Sequence, residues 1–435
     1  MRFIIFAVQM KVVKMKLSNG FLILTTLVVL LLSANSLVAQ TDIFNLDGRR
    51  NVVTTAVPFL MISPDSRSGA LGDAGIALPA DPNTIHWNPA KLAFVKDKQG
   101  LSISYVPWLK ALVPDINLSY LTGYSRIDEM SAFGASLRYF SLGDIQFTND
   151  FGEWMGDFRP HELALDGAYA RKLSETFSLG LALRFIYSNL AGNTPLSNGT
   201  ETKPGIAYSG DISTYWQPEP FKVKDKTMDF ALGMNLSNIG SKITYTDVTD
   251  RDFIPINLRI GTYLNYHIDE YNQIALIFDL NKLTVPTSPI YAIDSSGNSI
   301  VDPDGKLTVN LGRNPDVPVI AGIIQSFYDA PGIIDSVSGK AVKGSVFKEE
   351  MREVNPGIGI EYWYDKQIAG RIGYFYEHPT KGNRQYLTLG IGIKYNILNL
   401  DVSYLLPTNN KTASQTSPLE NTVRFTLLFN FGQKN

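Results

Sequence analysis

Phe177-Ser178-Leu179-Gly180-Leu181-Ala182-Leu183-Arg184-Phe185-Ile186-Tyr187 carries a large apolar or aromatic residue at every odd position, and Ser178, Gly180, Ala182 and Arg184 between them are small or polar. A period of two places the two sets on opposite faces of a β-strand. In a soluble sandwich the apolar face would form the core, whereas in a membrane barrel it faces lipid and the small polar face lines the lumen. Length separates these alternatives. The ten steps span roughly 33 Å of extended chain, which projects to about 25 Å at a tilt near 40° and matches the height of a lipid-facing band. Soluble strands are about half as long.

Similar alternation occurs at Phe133–Tyr139, Leu258–Tyr266, Leu387–Ile397 and Val423–Phe431. Strands are expected near 101–107, 116–124, 131–141, 162–171, 177–188, 205–216, 229–238, 256–266, 272–281, 356–364, 368–377, 386–396, 399–406 and 422–431. That makes about fourteen, an even number as bacterial barrels require. Short turns at Ser125–Met130, Arg171–Thr176, His267–Tyr271, Asp365–Gln367 and Ile397–Leu398 alternate with longer links rich in Pro, Gly, Asn and Asp. Short periplasmic turns opposite long outer loops give this pattern, with Gln217–Met228 as a longer turn on the periplasmic side. The apolar patch Val317–Phe327 belongs inside the longest outer loop, Lys282–Asn355, because a fifteenth strand there would break the alternation of loop lengths. The fold class is therefore all-β, a transmembrane antiparallel β-barrel. Its last strand ends in Asn430-Phe431, an aromatic terminus that suits insertion by barrel-assembly machinery.

Composition agrees with this class. Of 435 residues only 18% are charged and 11% are aromatic, and the 35 glycines are spread through strand-like segments. The absence of cysteine excludes disulfides and Cys-based metal sites. Lys11, Lys14 and Lys16 precede an apolar run, Phe21–Leu32, and small and polar residues follow up to Ala39, as in a cleaved secretory signal. A start at Met15 would give a more usual signal length. Cleavage after Ala39 removes Arg2, Lys11, Lys14 and Lys16 and no acidic residue, so the mature chain is mildly acidic and a poor partner for nucleic acid. No later stretch is apolar enough for a spanning helix, so the membrane must be crossed by a closed barrel. The expected organisation is a signal peptide over 1–39, an N-terminal hatch over 40–98 and a barrel over 99–435.

The segment PFLMISPDSRSGALGDAGIALPADPNTIHWNPAKLAF, Pro58–Phe94, precedes the strand series. Gly69, Gly72 and Gly75 permit left-handed backbone or close packing. Arg67 can pair with Asp65 or Asp73, and these groups can dock in a polar lumen. Asn88-Pro89-Ala90 reads as a turn, since Pro89 fixes its φ and biases Asn88 away from helix. His86 and Trp87 form either a functional pair or, more simply, an indole packed on the barrel wall. The spacing G-x-x-G-x-x-G lacks the Lys-Ser/Thr of a phosphate-binding loop and no βαβ unit surrounds it.

This segment resembles the periplasmic-side entry segment of the FadL-like outer-membrane barrels. Within that superfamily, the Asp65-Ser66-Arg67 run with its glycines and the His86-Trp87-Asn88-Pro89-Ala90-Lys91 turn look most like the PorV (LptO) family of type IX secretion. The resemblance implies an outer-membrane protein, embedded in outer-membrane lipid, with no cofactor. It would bind the C-terminal signal domain of secreted cargo at the translocon barrel, SprA or Sov, and carry it to the attachment complex containing the PorU sortase. The alternatives are a FadL-like channel for fatty acids or other hydrophobic compounds, and the related PorQ subunit.

Nothing singles out a catalytic Ser/His/Asp set, so no enzyme and no catalytic residue is expected. His86, His161, His267 and His378 fall in separate connections without metal-ligand spacing, so no metal site is expected either. Trp108 and Leu109 in the first outer loop, Trp154 and Met155 in the second, and Ile323, Ile324 and Phe327 in the largest are apolar groups where water is expected. They are candidate partner contacts, or they fold inward to cap the barrel or sit at the membrane interface.

Overall fold

The computed structural model describes residues 50–110, 113, 115–148, 154–190, 192, 201–246, 251–294, 296–335, 338–409 and 417–432. The expected signal peptide and residues 40–49 of the expected hatch lie outside the described residues.

Fourteen long strands form the wall: β1 (Gln99–Pro107), β2 (Ile116–Arg126), β3 (Ser131–Leu142), β4 (His161–Lys172), β5 (Phe177–Asn189), β6 (Gly205–Trp216) and β7 (Lys226–Gly240), followed by β8 (Asn257–His267), β9 (Asn272–Leu283), β10 (Val354–Tyr364), β11 (Ile368–Tyr376), β12 (Gln385–Tyr395), β13 (Leu398–Pro407) and β14 (Thr422–Phe431). Each pairs antiparallel with the next, and β1 pairs with β14 from Gln99↔Phe431 to Tyr105↔Phe425, which closes the sheet. All fourteen expected strands are present, with ends shifted by no more than a few residues. The longer periplasmic turn is a hairpin in which Phe221–Val223 pairs with the start of β7. The apolar patch in the largest outer loop forms a helix, α1 (Val319–Gln325), and a second helix, α2 (Ser345–Arg352), follows it.

The wall is apolar outside and polar inside. Leu183 of β5 is 76% exposed on the outer face, whereas its neighbour Arg184 is 6% exposed within the lumen. The same division places Ser102, Thr122, Arg138, Asp166, Asp279, Glu361, Arg371 and Thr426 inside and Ile103, Phe133, Leu181, Ile212, Leu276 and Ile391 outside. Only a lipid environment makes the outward set favourable, because in water it would be a continuous apolar surface far larger than a soluble protein exposes.

The lumen is filled by the chain that precedes β1. Asn51 begins near the outer loops: its N–H bonds to Thr380 C=O at 2.8 Å and its side chain reaches Ser288 C=O and Glu349. The chain then crosses the lumen through short helical turns and leaves at Lys98, at the periplasmic end of β1. Contact with the wall is at backbone distance. Gly72 takes φ +70°, and a Cβ there would lie 2.5 Å from the Tyr374 carbonyl oxygen. A Cβ on Gly373 of β11 would lie 2.1 Å from Gly72 N, and one on Gly180 of β5 would lie 2.2 Å from Ala90 N. The strand glycines therefore have a packing reason: they let a second backbone lie directly on the wall.

Two outcomes follow for variants. Leu183 lies midway along β5 facing lipid, so Leu183→Arg is expected to lower stability by about 2–4 kcal/mol in urea titrations of the barrel in lipid vesicles. Leu183→Phe is expected to change it by less than about 1.5 kcal/mol, and equal losses from the two would mean that packing, not lipid, reads this position. Gly72→Val should leave the luminal segment unseated and open to protease, whereas Gly370→Ala, whose added Cβ meets nothing within 4 Å, should stay resistant. A resistant Gly72→Val barrel at normal abundance would show that the close approach is dispensable.

Candidate functional site

The luminal segment is bonded to the wall along its length. Asp65 caps the turn Ser66–Gly69 by accepting from Ser68 N–H at 2.8 Å, and its second oxygen accepts from Trp87 Nε1–H at 2.6 Å. Ser66 N–H donates to Thr426 Oγ1 of β14 at 2.8 Å. Arg67 grips Glu361 of β10 at two points, 2.8 and 3.0 Å, and lies 3.6 Å from Asp81. The sequence offers Asp65 or Asp73 as its partner, and neither serves. Asp65 is occupied as just described, and Asp73 accepts from the Tyr386 hydroxyl and lies 3.4 Å from Arg424.

Further along, Arg424 donates to Gly69 C=O at 3.3 Å, and the N–H groups of Gly75 and Ile76 both donate to Asp279 of β9, at 2.6 and 3.0 Å. Asn88 caps Pro89–Phe94 by accepting from Ala90 N–H at 3.0 Å, and Pro89 takes the first helical position, where its missing N–H is harmless. The Asn88 amide also donates to Ile76 and Thr214 carbonyls. His86 Nδ1 is 2.6 Å from Arg138 Nη2, and its ring meets Trp87 edge-on at 4.8 Å. The indole in turn lies under the Arg259 guanidinium, 5.1 Å away. The structure thus gathers the motif residues into one luminal network. Sequence reasoning missed their wall partners, chiefly Glu361, Asp279, Arg138 and Arg424. The signal was present as charged residues at inward positions of alternating strands.

His161 begins β4 beside Tyr139 and Tyr187, His267 ends β8 at 2.7 Å from Asp229, and His378 lies in an outer loop. The structure does not bring the four histidines together.

The outer loops divide the apolar candidates. Trp108 and Leu109 turn inward and pack on the buried cluster that contains Val106, Phe140 and Ile254. Ile323 also packs there, whereas Ile324 and Phe327 are exposed. Trp154 is exposed, with its Nε1–H donating to Asp157 at 3.1 Å. Met155 lies in the short strand Trp154–Phe158 of that loop, and its side chain is outside the described residues.

Helix α2, which the sequence reading did not single out, is built inside out for an aqueous loop. It buries Glu349 and Glu350 and presents Phe347, 70% exposed, and Met351 four residues later. The buried acids belong to an ion network: Lys282 bonds to Glu350 and Glu353 at 3.0 and 2.6 Å, and Lys381 to Glu349 and Glu353 at 2.8 and 2.9 Å. Burial pushes Asp329 up to about 6 and raises Glu350, with the neighbouring Glu353 adding to the rise. Burial also opposes the charge of Glu353, but Lys381 and Lys282 outweigh it and hold that carboxyl below the usual range. Lys282 also lies 5.7 Å from the Phe327 ring. The network ties the largest outer loop to the next one and, through Asn51, to the start of the luminal segment.

Between that segment and the outer loops lies a cavity of about 460 Å³, bordered by Val52–Thr55, Trp87, Arg259, Glu353, Lys381 and Tyr386 among others.

Among solved structures, this chain is similar to the toluene transporter TbuX of Ralstonia pickettii, at 11% identity over 85% of this chain and 98% of that one, TM-score 0.44. It is also similar to the toluene transporter TodX of Pseudomonas putida, at 11% identity over 84% and 98%, TM-score 0.43. A third similarity is to a FadL homologue of Pseudomonas aeruginosa, at 12% identity over 88% and 100%, TM-score 0.39. No curated protein matches the chain. The family model described as type IX secretion system protein PorV matches residues 45–290, more than half of the chain, and spans the luminal segment and strands β1–β9. This chain accordingly belongs to the PorV family and is an outer-membrane barrel of type IX secretion.

Proposed function

We propose that the protein captures the C-terminal signal domain of secreted cargo at the type IX translocon barrel, SprA or Sov, and delivers it to the attachment complex containing the PorU sortase. The observation that carries this reading is the pair of outer-loop helices whose apolar side chains face away from the barrel. On α1 these are Ile320, 62% exposed, and Ile324 one turn later, with Phe327 just beyond. On α2 they are Phe347 and Met351. Isolated exposed apolar groups need no explanation, but one-sided apolar stripes on two helices of a loop pinned by a buried ion network fit a preformed protein contact. The reading is not catalytic: binding, release and handover need shape and apolar contact rather than a reacting group. The filled lumen favours a carrier that works at its outer surface over a channel that passes compounds through its centre.

The double variant Ile320→Asp, Ile324→Asp tests this. Both side chains are exposed, so barrel abundance and heat-modifiability should match wild type. Loss of two apolar anchors worth about 2 kcal/mol together would weaken capture roughly thirtyfold, and cargo should accumulate with its signal domain uncleaved. Wild-type cargo processing by a variant present at normal levels would remove this surface from the mechanism.

A further inference from the structure

The largest outer loop folds around more acid than base. Asp329, Glu349, Glu350 and Glu353 are each no more than 5% exposed, and among the described residues only Lys282 of β9 and Lys381 of the loop between β11 and β12 pair with them. The three glutamates share these two ammonium groups. Asp329 has neither. One of its oxygens accepts from Thr287 N–H at 3.1 Å and from the Gln325 side-chain amide of α1 at 3.3 Å, and the other is buried without a donor among the described residues. The other basic groups of these elements do not supply the missing cation. Arg352 of α2 is buried with its Nη1 unpartnered among the described residues, Arg384 is engaged with Glu377 at 2.8 Å, Arg313 lies over the Tyr328 ring at 4.5 Å, and His378 Nδ1 meets Thr380 of its own turn. Four buried carboxylates therefore face two ammonium groups. A buried carboxyl with no cation and one oxygen lacking a donor is more stable as the neutral acid.

Asp329 sits where the parts of the loop are joined. It touches α1 through Gln325 and the chain leaving β9 through Thr287, and the next residue, Ala330, donates its N–H to Glu350 of α2 at 2.9 Å. Gly332 N–H donates likewise to Glu349 at 2.7 Å. We propose that Asp329 is a proton-controlled clasp: protonated, it closes both helices onto the mouth of the barrel, and deprotonated, it adds a fourth charge to the cluster and lets them loosen. Burial, with the like charges of Glu350 and Glu353 behind it, pushes this carboxyl from an ordinary 3.8 up to about 6, against the two donors, of which Thr287 N–H is the stronger in favouring the charged form. An acid raised in this way is still protonated in the closed loop when it has already ionised in the open one. The closed loop therefore loses stability as pH rises from about 4 to about 6 and stays at the lower level above that. The helices that carry the partner contact in the cargo reading are thus held most firmly in mildly acidic surroundings, but the clasp itself does not rest on that reading.

Hydrogen exchange of the folded, detergent-solubilised barrel, read by mass spectrometry at about pH 4.5 and about pH 7.5 and corrected for intrinsic exchange rates, tests the clasp. The reporters are the N–H groups of Thr287, Ala330 and Gly332, which bond to the cluster itself. Their protection should fall at least about tenfold at the higher pH, within the roughly hundredfold that a rise of about two units in the carboxyl allows, while the ladder amides of β5 keep theirs. Asp329→Asn retains the shape without the charge, so its loop should be equally protected at both values. Wild-type protection that is the same at both values, or a fall that persists undiminished in Asp329→Asn, would overturn the proposal. Where Asp329→Asn does not fold, the wild-type pH profile decides: levelling off near pH 6 supports the clasp, and a fall still continuing above about pH 7 overturns it.

Discussion

Glu361 sits on the inner wall between two guanidinium groups, bonded to Arg67 of the luminal segment at 2.8 and 3.0 Å and to Arg371 of the adjacent strand at 2.7 Å. Arg371 continues to Asp401, 2.5 Å away on β13. All four side chains are largely or wholly withdrawn from solvent. None of these charges is cheap in a low-dielectric interior, and removing one partner of such a group leaves the others uncompensated at about 3–5 kcal/mol. The wall needs the segment as much as the segment needs the wall. The inward charges would suit an open, watery lumen, but here they are satisfied by a second layer of protein.

That constraint explains the composition of the inner face. Where the segment supplies polar groups the wall answers with a carboxylate, a hydroxyl or an arginine, as at Asp279, Thr388, Thr426 and Arg424. Where it supplies backbone or small side chains the wall answers with glycine. The result is a two-layer structure whose outer loops are positioned from beneath, since Asn51 and the cluster around Phe59 and Leu60 link the segment to the mouth of the barrel.

Much of the barrel was legible in the sequence because lipid imposes one rule on every strand: each outward position must be apolar, and the period of two survives even where the inward residues vary. The luminal contacts were less legible, for a reason of distance along the chain. Arg67 has Asp65 and Asp73 close by in sequence, yet its partner lies 294 residues away. Local spacing cannot report a pairing made only when the barrel closes. The outer loops were hidden differently. The run Ser345–Arg352 shows Phe347 and Met351 four apart with acids between them, but without the buried Lys282 and Lys381 nothing indicates that the acids, not the apolar pair, are turned inward. Trp108 and Leu109 were read as apolar loop residues, and the cluster beneath them decides that they cap rather than reach out.

The course of the luminal segment has a consequence for how the molecule is made. Its partners come from both ends of the chain order: Gly180 and Thr214 in the early strands, Thr388, Arg424 and Thr426 in the last. Closing the seam between β1 and β14 brings the last of these partners to the segment, because Arg424 and Thr426 sit on the strand that completes the wall. The luminal segment therefore lacks its anchors on one flank until the final strand arrives, although it precedes every strand of the wall in the chain.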